Sequence, residues 1–118
     1  MILVIADSNA LIAPFRRKFN IDAELSRILQ DYKILVPEPI VGELERLAKT
    51  SMDAKGALKL ALTREIHPTK KAGDAAVLEL AQKVDGVVMT NDRELIGKAR
   101  KAKLRVIRLR EGCRLELF

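Results

Sequence analysis

The sequence predicts an α/β fold with three layers, α/β/α, around a mainly parallel central sheet. Two observations carry that prediction. Short apolar runs of strand length alternate with longer segments whose apolar residues recur at helical spacing. Acidic residues stand where several of these runs give way to helix. The chain has 118 residues. That suits a single domain, residues 1–118, with a core that needs no disulfide or zinc.

Each element has its own local reason. Residues 2–6 are a continuous apolar run, the mark of a strand buried on both faces. Ser8-Asn9 supplies turn and capping chemistry, and a short helix follows until Pro14 disturbs it. Residues 22–31 place Ala23, Leu25, Ile28 and Leu29 on one helical face. Ile34-Leu35-Val36 reads as a second strand, stopped by Pro37. Pro37 and Pro39 bracket the next helix entry, which runs to about Lys49 and buries Ile40, Leu44 and Leu47. Met52 to Glu65 is helical in pattern and is broken by His67-Pro68. Gly73-Asp74 opens a helix over 75–83, with Asp74 in capping position. Val87-Val88-Met89 is a third strand, residues 92–103 a helix and 104–109 a fourth strand. Glu111-Gly112 is a turn, and 114–118 closes a terminal hairpin as an antiparallel edge.

Composition narrows the function. A hydrophobic fraction of 48% with 32% charged residues describes a globular chain. No apolar run reaches the roughly 20 residues that span a bilayer, and the expected location is the cytoplasm. The single cysteine, Cys113, excludes an internal disulfide framework and a cysteine zinc site within one chain. Net charge is +6. Nine Lys or Arg fall between Arg93 and Arg114, against only Glu94 and Glu111. Arg16-Arg17-Lys18 forms a smaller cluster. Basic surface of this kind suits a polyanion. Arg93, Lys98, Arg100, Lys101 and Lys103 are the expected contacts to a nucleic-acid backbone. With aromatics at 3%, a row of stacking rings is not expected.

The acids carry the chemistry. Asp7 follows the first strand and Asp92 the third, while Glu43 and Asp74 sit near helix starts. A carboxylate at the exit of a buried strand is costly to desolvate and adds nothing to a core. In an open parallel sheet such exits share one crevice. Several carboxylates meeting there repel one another unless a cation joins them, so the four read together as a divalent-metal site. Ser8 and Asn9 add oxygens and backbone N–H groups beside Asp7. Thr90 and Asn91 do the same beside Asp92. Taken singly, Asp7, Asp74 and Asp92 also read as helix caps, and Glu43 as a helix residue paired with Arg46. His67 lies in a predicted loop without a second ligand, and Cys113 lacks an activating neighbour other than Arg114. No glycine pattern cradles phosphate, and Ser8 has no histidine partner.

Four segments in order resemble the PIN domain, a family of small metal-dependent ribonucleases. They are Ile5-Ala6-Asp7-Ser8-Asn9-Ala10-Leu11, Val41-Gly42-Glu43-Leu44, Gly73-Asp74-Ala75-Ala76-Val77-Leu78-Glu79-Leu80-Ala81 and Val87-Val88-Met89-Thr90-Asn91-Asp92-Arg93-Glu94-Leu95. The resemblance covers the whole chain. It implies that Asp7, Glu43, Asp74 and Asp92 form an acidic pocket for Mg²⁺ or Mn²⁺. It also implies that Ser8, or Thr90 with Asn91, supports that pocket. The segment 90–95, the basic helix and Val106-Ile107-Arg108-Leu109 are most similar to the branch that processes small-subunit ribosomal RNA precursors. Toxin members of toxin–antitoxin pairs are the competing branch, with an antitoxin as partner. The lack of a cysteine zinc module departs from some ribosome-processing relatives. The family also implies a homodimer, to which Leu115-Glu116-Leu117-Phe118 would contribute.

The expected reaction is in-line attack of water on an RNA phosphodiester, leaving a 3′-hydroxyl and a 5′-phosphate. Glu43 would hold the water directly or through a metal. Two other readings compete. A non-catalytic RNA or ribosome-assembly module would bind RNA without needing Asp7. A phospho-receiver domain needs an acceptor Asp ending its third strand, where this chain has Thr90-Asn91-Asp92.

Overall fold

The computed structural model describes residues 1–111 and 113–118. Its sheet holds β1 (Ile2–Ala6), β2 (Tyr32–Pro37), β3 (Glu65–His67), β4 (Val87–Met89), β5 (Val106–Arg110) and β6 (Arg114–Leu117). Their order across the sheet is β3-β2-β1-β4-β5-β6. The first five strands run parallel, and β6 pairs antiparallel with β5. The helices are α1 (Ser8–Arg16), α2 (Ile21–Leu29), α3 (Glu38–Leu47), α4 (Met52–Leu62), α5 (Asp74–Val84) and α6 (Arg93–Lys101). This is the predicted three-layer arrangement. Right-handed crossovers send α1 to α4 to one face and α5 and α6 to the other. The packing of α1 on α4 and of α5 on α6 agrees.

The apolar runs form the centre. Val4, Ile5, Leu35, Val36, Val88 and Ile107 are buried at the middle of the sheet. Each contributes about 1.5–3 kcal/mol on full burial. Helix α4 lies close against α1 at Gly56, where an added Cβ would stand 2.6 Å from the Phe15 ring. No helix of the described residues is long and apolar enough to cross a membrane.

Several boundaries differ from the sequence reading. Helix α1 continues through Pro14 to Arg16. Pro14 forgoes the bond to the Ala10 carbonyl, but it is buried within α1, and the helix runs on past it. Residues 65–67, expected as helix end and loop, form the edge strand β3. Helix α4 stops at Leu62, and Glu65, Ile66 and His67 pair with Leu35, Val36 and Pro37. The strand is short and mostly exposed, so it shows no burial pattern to read. His67 therefore sits on a sheet edge, its Nε2 2.7 Å from Glu65 Oε1. The turn expected at Glu111-Gly112 coincides with a short 3-10 helix, Glu111–Cys113. Gly112 itself lies outside the described residues. The apolar terminus packs on its own chain. Leu115 is buried, and the Phe118 ring lies 4.5 Å below the Arg108 guanidinium.

Candidate active site

The strand order reverses direction at β1. The chain moves from β1 outward to β2 and β3, then returns to β4 on the other side of β1. Adjacent parallel strands whose connections leave in opposite directions open a crevice at their carboxyl ends. Asp7 leaves β1 and Thr90-Asn91-Asp92 leaves β4, with Ala6 paired to Met89 between them. Both polar exits therefore face the same crevice, and the backbone N–H of Asp7 donates to the Met89 carbonyl at 3.4 Å.

Asp7 is the most buried of the four acids, at 5% exposure. Its Oδ1 accepts from Ala10 N at 2.7 Å and caps α1. Its Oδ2 accepts from the Thr90 hydroxyl. Among the described residues, no lysine or arginine forms an ion pair with Asp7. Burial pushes its carboxyl from an ordinary 3.8 up to about 6, and the negative charges of Asp74 and Asp92 push the same way. The two hydrogen bonds oppose that shift without cancelling it.

The other acids arrive from three elements. Glu43 stands on α3, where its Oε1 accepts from Ser8 Oγ at 2.8 Å. Ser8 is itself buried, so it fixes one oxygen of Glu43 and leaves the other open. Asp92 caps α6 through Oδ1, which accepts from Glu94 N at 2.9 Å. Asp74 does not cap α5, contrary to the sequence reading. Gly73 occupies the cap position, at φ 60°, and Asp74 is the first helical residue. Only glycine takes that backbone angle without strain. With capping done by a residue that has no side chain, the Asp74 carboxylate is left for other work. Burial raises its pKa, and repulsion from Asp92, Glu94 and Glu43 adds to the rise, with Lys98 opposing. Like-charge repulsion thus links the four predicted acids pairwise around the crevice, Asp7 with Asp74 and Asp92, and Asp74 with Asp92 and Glu43. Glu94 joins them there, a residue that sequence reasoning passed over as the acid within a basic segment.

The neighbouring polar residues divide by role. Thr90 supports the acids directly, donating to Asp7 and accepting from Asp92 N at 3.0 Å. Asn91 faces the other way. Its Oδ1 accepts from Leu109 N at 2.7 Å and its Nδ2 donates to Leu109 O at 3.2 Å. It therefore clamps the β4 exit onto β5. Asn9 is exposed on the first turn of α1.

The basic residues divide as well. Arg93, Arg108 and Arg110 surround an open polar cleft beside Asn91. The alternation of Arg108 and Arg110 along β5 is a period-two signal that could have found this face. Lys98 is 3.3 Å from Glu94 and within the field of Asp74. Arg100 lies over Phe118, 5.3 Å from the ring centre. Lys101 ends α6 and Lys103 lies just beyond it. Lys103 borders a depression with Met1, Leu3 and Gly86, at the opposite end of the sheet from Asp7. A helix beginning at the crevice must carry its last turn away from it, at about 1.5 Å per residue.

As the side chains lie, no three acids, histidines or cysteines among the described residues stand close enough to share one ion. The donor set still suits a hard divalent cation in kind, being carboxylates and hydroxyls without thiolate or imidazole. A cation would also favour the charged form of Asp7, which burial and like charge now oppose.

Comparison with known proteins adds the ancestry. Residues 4–112 match the model of a PIN-like domain. The chain is 34% identical to "Ribonuclease VapC4" of Methanocaldococcus jannaschii, over 100% of this chain and 98% of that protein. It is 30% identical to "Ribonuclease VapC9" of Archaeoglobus fulgidus, over 94% of this chain and 85% of that protein. Among solved structures it is similar to "the PIN domain endonuclease Utp24", with a TM-score of 0.84 and 21% identity. That match covers 98% of this chain and 90% of the other, and it speaks for the fold alone.

Proposed function

The chain belongs to the PIN-like domain family, and from that premise we propose that it is a metal-dependent endoribonuclease of the VapC toxin kind. The observation that supports this reading is the placement of Asp7 and Asp92 at the exits of the paired strands β1 and β4, with like-charge repulsion linking Asp7 to Asp74 and Asp74 to Glu43. The preference for a toxin over ribosomal RNA processing rests on two relatives matched over most of their length, both named VapC ribonucleases. The likeness to Utp24 is one of fold and does not outweigh them. The implied partners are RNA and an antitoxin chain.

In this reading Asp7, Asp74 and Asp92 hold Mg²⁺ or Mn²⁺. When bound, a divalent ion supplies charge neutralisation at the phosphate and a more acidic water. The chain's own groups do the rest. Thr90 and the Ala10 N–H hold Asp7 in one orientation. Ser8 occupies Oε1 of Glu43, which leaves Oε2 to receive a proton from the attacking water. Arg93, Arg108 and Arg110 bind phosphates along the adjoining cleft, positioning the strand without reading its bases. In-line displacement then leaves a 3′-hydroxyl and a 5′-phosphate.

The test pairs cleavage with growth. End-labelled structured RNA incubated with Mn²⁺ is expected to be cut by the wild type and spared by Asp74→Asn. Induced expression is expected to arrest growth for the wild type alone, with relief when the antitoxin is co-expressed. Cleavage without growth arrest would return the ribosomal RNA reading. Salt-sensitive RNA binding without cleavage would favour the non-catalytic module.

A further inference from the structure

Beside the acidic crevice lies a second, drier hollow of about 150 Å³, between a stripe of α1 and strands β4 to β6. Its floor is Ile21, Met89, Leu109 and Leu115. Phe19 stands in its wall, and Arg16 and Arg17 lie exposed at its rim. Thr90 lines it too. The same Thr90 hydroxyl donates to Asp7, so hollow and crevice share one side chain.

We propose that this hollow seats the base of one pyrimidine nucleotide, next to the phosphate held at the acidic crevice. The inference rests on the endoribonuclease reading and deepens it, by naming which base the site selects. Size comes first. The hollow is open on one side, and its volume matches a single benzene-sized ring, whereas a purine brings a second fused ring that would protrude from it. Surface chemistry agrees. Phe19 offers a ring for stacking, the one aromatic the site needs rather than a row of them. Arg16 and Arg17 supply positive charge for the flanking phosphates. Asn91 supplies the edge contact. Its amide is fixed by both bonds to Leu109, and one Nδ2 proton remains unspent at the rim. A fixed donor there meets the C2 carbonyl that uracil and cytosine share.

The experiment reads methyl NMR signals of Ala13, Met89, Leu109 and Leu115 in the metal-free protein. Uridine, used as the nucleoside because the metal-free carboxylates would repel a phosphate, is expected to shift them saturably. Adenosine is expected to bind roughly tenfold more weakly. Phe19→Leu should weaken uridine binding by roughly tenfold through lost stacking. Ala13→Phe, which fills the hollow, should abolish the shifts, and Asp74→Asn in the crevice should leave them. Absence of these shifts with uridine would overturn the proposal. So would equal binding of the two nucleosides. Equal shifts from phenylalanine amide would do the same, and would mark the hollow as a seat for a protein side chain. None of these readouts uses cleavage, so failure of the nuclease reading is scored separately.

Discussion

Asp7 and Asp22 are the same residue in opposite circumstances. Asp22, on α2, meets Arg64 through two bonds, Nη1 to Oδ1 at 3.0 Å and Nη2 to Oδ2 at 2.6 Å. Tyr32 donates to it as well, at 2.5 Å. The Arg64 guanidinium holds the Asp22 carboxyl below its ordinary range. Asp7 has only a hydroxyl and an amide, and its carboxyl is pushed up to about 6. One acid joins α2 to the segment after α4 and stabilises the fold. The other is buried with no basic side chain of the described residues paired to it, which costs the metal-free protein stability. A carboxylate kept at a cost, beside two more of like sign, is a mark of function rather than of folding.

Breaking the crevice should have the largest effect, and on activity alone. Asp74→Asn and Asp92→Asn should each reduce RNA cleavage by roughly 10³-fold, a loss of the size seen when a stabilising group is removed from a reacting centre. Thermal unfolding should hardly move for Asp74→Asn, because Gly73 and not Asp74 caps α5. A large fall in melting temperature would assign Asp74 to structure.

The next effect is on stability and has the unusual sign. The folded-state pKa of Asp7 lies above its unfolded value of 3.8. Between pH 4 and pH 6 the folded protein therefore binds more protons than the unfolded chain, and metal-free stability should fall as pH rises through that window. Asp7→Asn removes this loss. At pH 7 it should stabilise the metal-free protein by at most about 3 kcal/mol, less whatever the Thr90 and Ala10 bonds lose. Denaturant titration at pH 4 and pH 7 measures it. Equal stability changes at both pH values would remove the unpaired charge from the account.

A counter-charge supplied from outside should act at Asp7 and not at Asp22. Mn²⁺ at a hundred times its dissociation constant should stabilise the wild type by about 2.7 kcal/mol. Asp7→Asn should lose most of that gain, while Asp22→Asn should keep it. The melting temperature with and without Mn²⁺ reads both.

The smallest effect belongs to the paired acid. The Asp22 side chain is 43% exposed, so solvent screens much of its attraction to Arg64. Asp22→Asn should cost about 1 kcal/mol at pH 7. Because the Asp22 pKa is lowered, that contribution should be present above the unfolded value and vanish as pH falls through the folded one. The two acids therefore respond in separate windows, Asp7 above pH 4 and Asp22 below it.

Much of this was legible in the sequence because it is local. The apolar runs of β1 and β4, the acids at their exits and the Gly-Asp opening of α5 are statements about neighbours in the chain. So is the order of the four acidic segments, which was enough to suggest the family. What the sequence could not decide lies across the sheet. Strand β3 owes its existence to pairing with β2, because Glu65, Ile66 and His67 carry no burial period of their own. Asn91 looked like a partner of the acids until β5 came alongside and took both ends of its amide. Lys101 and Lys103 looked adjacent to Asp92 along the chain, but the length of α6 carries them to the other end of the sheet. The elevation of Asp7 and the hollow beside it arise only when β1 and β4 meet at the reversal of strand order. Periodicity and capping report each residue's own backbone and burial. Which charges face one another is decided by topology, since electrostatic energy depends on distance in space rather than on separation along the chain.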